Sequence, residues 1–348
     1  MTRKSILFLF TICLLAGQTV TAQKKWKKVT DELVFTNPPF KECHASTILE
    51  PRPGHYMISF FAGTEEGEPD VNIWTAEKSG NGKWSQPVSV ADGVLNDSTR
   101  VPTWNPVLFQ STSGKTFLFY KVGPNPREWW GMVRTSMDSG KTWAAPVRLE
   151  NNILGPIKNK PIQLADGTII SPSSTETGDD RWNVHMELST DDGKTWELIP
   201  IDDRNPYKVI QPTVLKYTGD SLQILCRSNQ NRIVEAWSED HGRTWGNLTT
   251  IDVPNPNSGI DAVTLQDGTQ LMIYNPTESG KEWYNGRAQL AVAISTDGKK
   301  WEQVMKLENG KKEEFSYPAV IQTSDGRVHI TYTFDRKNMK HVVIEKMR

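Results

Sequence analysis

Cysteine and charge of a single sign are both scarce in this chain. Its 348 residues include three cysteines, and 40 Lys and Arg nearly balance 41 Asp and Glu, which leaves a formal charge of -1. No basic stripe is available to bind nucleic-acid phosphates or an anionic membrane surface. No C-x-x-C pair or Cys/His cluster occurs, so we expect no structural zinc. Cys43 and Cys226 remain after the N-terminal segment and could form one disulfide or stay as two buried thiols.

Long apolar runs are also missing, except at the N terminus. Basic residues precede the apolar stretch 6–15, and small residues follow it up to Ala22. This pattern is typical of a secretory signal peptide, which we predict over residues 1–22, and no second run is long enough for a membrane span. The remaining chain, 23–348, is expected to form a single domain and to be exported to the periplasm or the extracellular space.

Tryptophan is abundant, with 13 residues, and five of them end a repeated turn sequence. The sequence SMDSGKTW at 136–143 recurs in related form at 189–196, at 238–245 and, one residue shorter, at 295–301, and a decayed copy occupies 79–84. The five tryptophans are 49 to 59 residues apart. In each full copy, Asp can accept local backbone N–H bonds, Gly supplies a positive φ and Trp covers the turn.

The repeat predicts the architecture. A β-rich run precedes each full copy, and several units carry a second turn such as Asp166-Gly167. Each unit of about 54 residues has room for four short strands, and its apolar residues almost never recur with the spacing of a helix. This combination favours a propeller blade. We therefore predict an all-β, six-bladed β-propeller, with an N-terminal strand near 32–36 closing the last blade. Functional side chains would then lie in the funnel, where the inner strands end.

We call each copy of the repeated turn sequence a box. A six-bladed β chain with such boxes resembles the sialidase (neuraminidase) superfamily of exo-glycosidases, and the resemblance covers essentially all of 23–348. Arg227 ends a β-rich run, Arg287 lies eight residues before a box serine, and Tyr317 lies nine residues before a turn glycine. The resemblance implies that the two arginines bind a sugar carboxylate and that Tyr317 is the nucleophile. A neutral phenol suits this role because the substrate's own carboxylate would repel a carboxylate nucleophile.

Two positions depart from the family pattern. His44 stands where the family has its first arginine, and Gln211, sixteen residues before Arg227, stands where the family has a glutamate that polarises the tyrosine. Glutamine can orient a phenol but cannot take its proton. A histidine in the funnel could act as acid, base or carboxylate ligand. These departures leave the identity of the sugar open.

Several other residues are candidates for the funnel. The acidic loop 65–70 offers a general acid, with Glu68 nearest to the family spacing and Asp70 and Glu66 close behind, although such loops are usually only solvated. Further candidates for sugar binding precede or begin inner strands. They are the cations Lys158 and Lys160, the acid Asp261, and Trp104, which with Trp129 and Trp130 could stack on a pyranose ring.

The leading hypothesis is an exported, exo-acting glycosidase that removes a terminal acidic sugar with retention, by attack of Tyr317 on the anomeric carbon. The expected partner is a glycan, no cofactor or metal is expected, and the oligomeric state stays open. The same fold also suits a polysaccharide lyase with His44 and Tyr317 as base and acid, or a rhamnosidase-type hydrolase acting on uronate-containing glycans. Gln211 favours a further alternative, a catalytically silent glycan-binding protein.

Overall fold

A computed structural model describes residues 26–347 of the chain, apart from 203, 205, 283 and 284. The predicted signal peptide, 1–22, lies outside the described residues and stays a prediction. Within the described part, the regular secondary structure consists of strands, numbered β1 to β26 in chain order. Nowhere in this part is there a helix with the length and apolar character that a membrane crossing needs.

Six antiparallel four-stranded sheets form the blades, which confirms the prediction of an all-β, six-bladed propeller. After the N-terminal strand β1 (Trp26–Leu33), blade 1 contains β2 (Glu42–Arg52), β3 (His55–Gly63), β4 (Asn72–Ser79) and β5 (Val88–Ala91). A two-stranded hairpin, β6 (Val94–Asn96) and β7 (Thr99–Arg100), leads to blade 2, which contains β8 (Thr103–Gln110), β9 (Thr116–Val122), β10 (Trp130–Ser136) and β11 (Val147–Arg148). Blade 3 contains β12 (Ile162–Gln163), β13 (Ile169–Glu176), β14 (Trp182–Ser189) and β15 (Glu197–Pro200).

The second half of the chain repeats this order. Blade 4 contains β16 (Val209–Lys216), β17 (Leu222–Ser228), β18 (Arg232–Ser238) and β19 (Thr249–Pro254). Blade 5 contains β20 (Asp261–Thr264), β21 (Gln270–Tyr274), β22 (Gln289–Ser295) and β23 (Glu302–Asn309). Blade 6 contains β24 (Phe315–Gln322), β25 (Val328–Phe334) and β26 (Asn338–Lys346), and β1 is its fourth strand.

Pairing of β1 with β26 joins the two ends of the described chain. The register runs antiparallel from Trp26 opposite Lys346 to Leu33 opposite Lys340. The N-terminal strand thus closes the last blade, at 26–33 rather than near 32–36, because the ladder with β26 begins earlier than the hydrophobic pattern indicates. Glu32 reinforces the closure, since its carboxylate accepts a 2.8 Å hydrogen bond from His341 Nδ1 in the same blade.

The repeated box forms a turn between the third and fourth strands of its blade. In blade 2, Ser136 Oγ bonds to Asp138 Oδ1 at 2.7 Å and accepts the backbone N–H of Gly140 at 2.8 Å. The side chain and backbone of Thr142 both donate to Asp138, and these hydrogen bonds lower the pKa of its carboxyl to about 2. The box is therefore a self-contained turn that needs only neighbouring residues.

The glycine of each full box also lies against the preceding blade. A Cβ on Gly140 would lie 2.3 Å from Met57 Cε in blade 1, and one on Gly193 would lie 2.7 Å from the Phe117 ring in blade 2. Both glycines have positive φ, of 87° and 77°. A larger residue would therefore meet both a steric and a backbone penalty. The box thus sets the spacing between blades as well as the turn.

The core lies in the layers between neighbouring blades. Between blades 3 and 4, for example, Met186 and Ile224 are fully buried in one apolar cluster. Cys43 and Cys226 are also buried, and both are free thiols, so the possible disulfide is not formed. Burial raises the pKa of each thiol, which keeps both in the neutral form.

Candidate functional site

A shared backbone irregularity prepares the funnel. The innermost strands of blades 1, 2, 4 and 6 each contain a shift in register, and in each shift one residue other than glycine has positive φ. These residues are Ala45, Asn105, Gln211 and Tyr317, with φ between 39° and 57°. Such bulges redirect side chains, and strained residues of this kind concentrate at functional sites. Gln211 and Tyr317 therefore occupy equivalent positions on two blades.

The phenol oxygen of Tyr317 is held by an arginine. Arg227 Nη1 donates to Tyr317 Oη at 2.6 Å, and Gln211 Nε2 approaches the same oxygen at 3.4 Å. Arg287 and the Lys158 ammonium each lie 5.9 Å from the centre of the Tyr317 ring. Three cationic side chains thus surround one partly buried phenol. The structure brings together Tyr317, Gln211 and both arginines that the sequence analysis singled out.

A third arginine joins this group through a shared carboxylate. Glu314 accepts Arg287 Nη1 on one oxygen at 3.0 Å and Arg336 Nε on the other at 2.8 Å. Ser316 Oγ adds a 2.6 Å hydrogen bond. Burial alone would raise the pKa of Glu314, but His44 where it is protonated, together with the positive charges of Arg336 and Arg287, lowers it to about 2. Glu314 is therefore ionised and positions two arginines at once.

Sequence reasoning did not identify Arg336 or Glu314. Arg336 lies in the tight turn after β25, at the funnel end of a second strand, and Arg227 ends the second strand of blade 4 in a similar way. This shared position at the end of a second strand was the sequence signal that could have identified Arg336. It was not used because the family offset pointed to His44 as the first arginine position. Glu314 carries no motif, and its role depends on contacts with two other loops.

His44 lies directly against the phenol. Its ring centre is 4.3 Å from that of Tyr317 and 5.6 Å from that of Phe61. Its Nδ1 is 2.9 Å from Thr333 Oγ1. Burial, together with the nearby positive charge of Arg336, holds the pKa of His44 well below its ordinary value. His44 is therefore a neutral imidazole in the funnel at physiological pH.

Lys158 links three parts of the ring. Its ammonium donates to Asn159 Oδ1 and to the backbone oxygens of Ile260 and Pro318, at 2.5 to 3.0 Å. Burial lowers the pKa of Lys158 to about 7. Three acceptors match the three donors of an ammonium group, so this geometry favours the protonated form. Lys158 thus adds positive charge beneath the phenol while joining blades 5 and 6.

Lys160 and Asp261 bind each other at the centre of the ring. Lys160 Nζ lies 2.8 Å from Asp261 Oδ2, which also accepts the backbone N–H of Val320 at 2.8 Å. The other oxygen accepts Thr213 Oγ1 at 3.0 Å. Asp261 therefore ties together residues from blades 3 to 6. This structural role accounts for both side chains, and their contact with a sugar stays a prediction.

The acidic loop presents its three candidate acids differently. Asp70 accepts the backbone N–H and the hydroxyl of Thr64, at 3.0 and 2.7 Å, and so closes the loop on itself. Glu66 forms an ion pair with Arg336. The exposed carboxylate of Glu68 makes no hydrogen bond or ion pair with the described part of the chain. Of the three, Glu68 is the one free to meet a ligand.

Trp104 is buried rather than displayed. Its indole N–H donates to the backbone oxygen of Gly123 at 2.8 Å, and its ring packs against Phe61 and Trp129. A sugar could reach only the small part that stays exposed, so the stacking role of Trp104 stays a prediction. Across the described residues, no group of three or more His, Cys, Asp or Glu side chains is placed to hold a metal ion.

Comparison with known proteins places the chain among repeat-containing β proteins. A family model described as a BNR repeat-like domain matches residues 54–330. A sialidase from Bacteroides fragilis (strain YCH46) is 25% identical over 203 residues, which is 50% of this chain but only 36% of that protein. The chain therefore spans about a third of the length of this curated relative.

Solved structures share the fold at low identity. A protein of unknown function from Dyadobacter fermentans DSM 18053 superposes with a TM-score of 0.74, at 16% identity, over 92% of this chain and 99% of that one. The NanB sialidase from Streptococcus pneumoniae gives 0.69, at 13% identity, over 90% and 70%. The Trypanosoma rangeli sialidase gives 0.70, at 16% identity, over 92% and 59%. The chain thus has a sialidase-like propeller fold.

Proposed function

Because the chain belongs to the family of BNR repeat-like domains, we propose that it is an exported, exo-acting glycoside hydrolase that releases a terminal acidic sugar with retained configuration. The observation that carries this proposal is the phenol of Tyr317, bonded to Arg227 and surrounded by further cations. Relatives and structural neighbours named as sialidases support the same class of reaction. The pattern of residues 1–22 supports export.

The charge of the funnel suits an anionic sugar. Arg227, Arg287 and Arg336 carry three positive charges, while Glu314 and Glu66 carry two negative charges. One unit of positive charge therefore remains among these side chains, before Lys158 is counted. Guanidinium groups suit this task because their planar fork matches the geometry of a carboxylate. We infer that the carboxylate of the substrate binds beside Arg227.

The same residues support attack by Tyr317. The phenol loses its proton to water in the funnel, since Gln211 cannot accept it. Arg227 then stabilises negative charge on the oxygen that attacks the anomeric carbon. Glu68 protonates the departing glycosidic oxygen and becomes a carboxylate. That carboxylate then takes a proton from a water molecule, which attacks the anomeric carbon while the bond to the Tyr317 oxygen breaks. Two successive displacements retain the anomeric configuration.

The experiment that tests this proposal is turnover of an aryl α-sialoside by the purified protein, beside a set of acidic polysaccharides. Release of the aryl group should be lost in Tyr317→Phe, and NMR should show an α-configured first product. Tyr217→Phe is the matched control, because the Tyr217 hydroxyl bonds to Gln223 away from the funnel. Full activity of Tyr317→Phe would refute the mechanism.

The contact between His44 and Tyr317 favours one second candidate, β-elimination on a uronate-containing glycan. A neutral imidazole packed against a phenol can remove the C5 proton, which becomes acidic because the arginines neutralise the charge of the neighbouring carboxylate. The product would carry a double bond and absorb in the ultraviolet. Such a product from a polysaccharide, without release from the sialoside, would favour elimination over hydrolysis.

A further inference from the structure

A cleft outside the arginine cluster opens between blades 2 and 3. It has a volume of about 690 Å³ and lies between the loop that carries Trp129 and the ends of β13 and β14. Its walls combine polar side chains, including Glu176 and Asn183, with the apolar surfaces of Trp129 and Ile201. A pyranose ring presents the complementary combination, because its hydroxyl groups border apolar C–H faces.

A close backbone contact holds Trp129 at the edge of this cleft. A Cβ on Gly123 would lie 2.5 Å from Trp129 Cα, and Gly123 has a φ of 150°, so glycine is needed at this position. The next residue, Trp130, is placed differently. The Arg148 guanidinium lies 4.9 Å from the centre of the Trp130 ring. Trp130 lines another cavity, between blades 1 and 2. Trp129 is therefore the half-buried indole that this cleft offers to a ligand.

Glu176 gives the cleft an unused hydrogen-bonding group. Glu176 is the last residue of β13, and its side chain is partly buried. Its carboxyl group accepts no hydrogen bond from the described part of the chain. Burial raises the pKa of Glu176, although the charges of Arg227 and Arg127 act in the opposite direction. A carboxyl group in this position gains from a hydrogen-bonding ligand because water is partly excluded from it.

Ring contacts connect the cleft to the phenol. A continuous series runs through Trp129, Trp104, Phe61, His44 and Tyr317, with centre-to-centre distances of 6.0, 6.1, 5.6 and 4.3 Å. The cleft therefore begins where the packed aromatic wall of the funnel ends. These rings are mostly buried, but Arg227, which bonds to the phenol oxygen, also lies close enough to Glu176 for its charge to act on that carboxyl group, so a ligand longer than one sugar can extend from the phenol towards the cleft.

We propose that the cleft is a binding subsite for a neutral pyranose, the sugar to which the terminal acidic sugar is linked. This proposal rests on the proposed function and adds a requirement for an oligosaccharide substrate. A neutral ring is favoured because Arg127 and Glu176 both line the cleft, so it offers no excess charge of either sign. The indole of Trp129 meets the apolar face of the ring, and Glu176 and Asn183 bond to its hydroxyl groups.

The test is binding of two neutral disaccharides, lactose and N-acetyllactosamine, to the full protein carrying Tyr317→Phe. Titration followed by NMR saturation transfer and calorimetry should detect at least one of them. Adding Trp129→Ala should weaken binding by roughly fivefold or more, the loss typical of one aromatic contact. Trp130→Ala is the matched control and should leave binding unchanged, because that ring faces another cavity. Glu176→Ala should also weaken binding, and Glu176→Gln should preserve most of it.

The outcomes separate this proposal from the proposed function. No binding of either disaccharide, or equal binding by Trp129→Ala and Trp130→Ala, would overturn the subsite. If Trp129→Ala fails to fold, as judged by circular dichroism, the Glu176→Ala and Glu176→Gln pair decides the question alone. Binding through Trp129 by a protein that cleaves no aryl α-sialoside would leave the subsite intact and refute only the hydrolase proposal.

Discussion

Replacing Glu314 by glutamine should destabilise the protein at pH 7 and have much less effect in acid. Glu314 is buried and is shared by Arg287 and Arg336, so its loss leaves two guanidinium groups without their common partner. The positive surroundings lower the pKa of its carboxyl from an ordinary 4.5 to about 2, against the opposing effect of burial. The folded protein therefore holds the ionised form, and stability is lost as the pH falls from 4.5 towards 2.

The magnitude follows from this pKa change. A decrease from 4.5 to about 2 corresponds to at most about 3 kcal/mol of stability at pH 7. Part of this lowering comes from His44, which contributes only where it is protonated. Burial keeps His44 neutral at pH 7, so the stabilisation at pH 7 comes from the two arginines and lies below this limit. The value agrees with the roughly 3–5 kcal/mol that removal of one partner from a buried ion pair costs. At pH 3 the difference should fall to about 1 kcal/mol.

Urea unfolding followed by tryptophan fluorescence, at pH 7 and at pH 3, measures this difference. Glu65→Gln is the control, because Glu65 is exposed on the nearby acidic loop and carries the same change in charge. The Glu65→Gln substitution should change the urea concentration at the midpoint of unfolding only slightly at either pH. If Glu314→Gln were destabilised equally at both pH values, ion pairing would not be the cause, and the positioning of the arginines by Glu314 would need another explanation.

Three further predictions follow from the blades and the funnel. Gly193→Ala should cost about 1–3 kcal/mol more than Gly219→Ala, since both positions have positive φ but only Gly193 would bring a Cβ within 2.7 Å of a neighbouring ring; equal losses of thermal stability would contradict this. Burial lowers the pKa of His329 to about 3, so the protein should lose stability as pH falls from 6.5 towards 3, and His329→Gln should flatten that part of the profile measured by urea unfolding. Gln211→Glu would place a proton acceptor near Tyr317 Oη, so turnover of an aryl α-sialoside should rise and its pH profile should gain an acidic limb; an unchanged profile would show that the glutamate does not act as the base.

The fold was largely predictable because its signals are local. Asp138 and Thr142 bond to each other within one turn, so the box can be recognised from a few consecutive residues. Repetition of that turn at a nearly constant interval then indicates both the blade and the number of blades. The position of the closing strand was less accurate, since its partner, β26, lies at the other end of the chain.

The site was predictable where a family offset marked it and, for Lys158, from its place before an inner strand. Tyr317, Arg227 and Gln211 were singled out by their offsets, and they meet although 90 and 106 residues separate the tyrosine from its two neighbours. Arg336 and Glu176 have no such offset. Their importance comes from the charges and cavity around them, which involve other blades.

Periodicity and turn chemistry along the chain were thus enough to establish a six-bladed β-propeller, because each blade is built from contacts between nearby residues. Only the tertiary structure determined which group each polar side chain bonds to. Lys160 and Asp261 could equally have faced a ligand, but the closing of the ring brings them within 2.8 Å of each other. The physical reason is that a propeller brings inner strands distant in sequence to one axis, where buried charges must find partners or be left to bind a ligand.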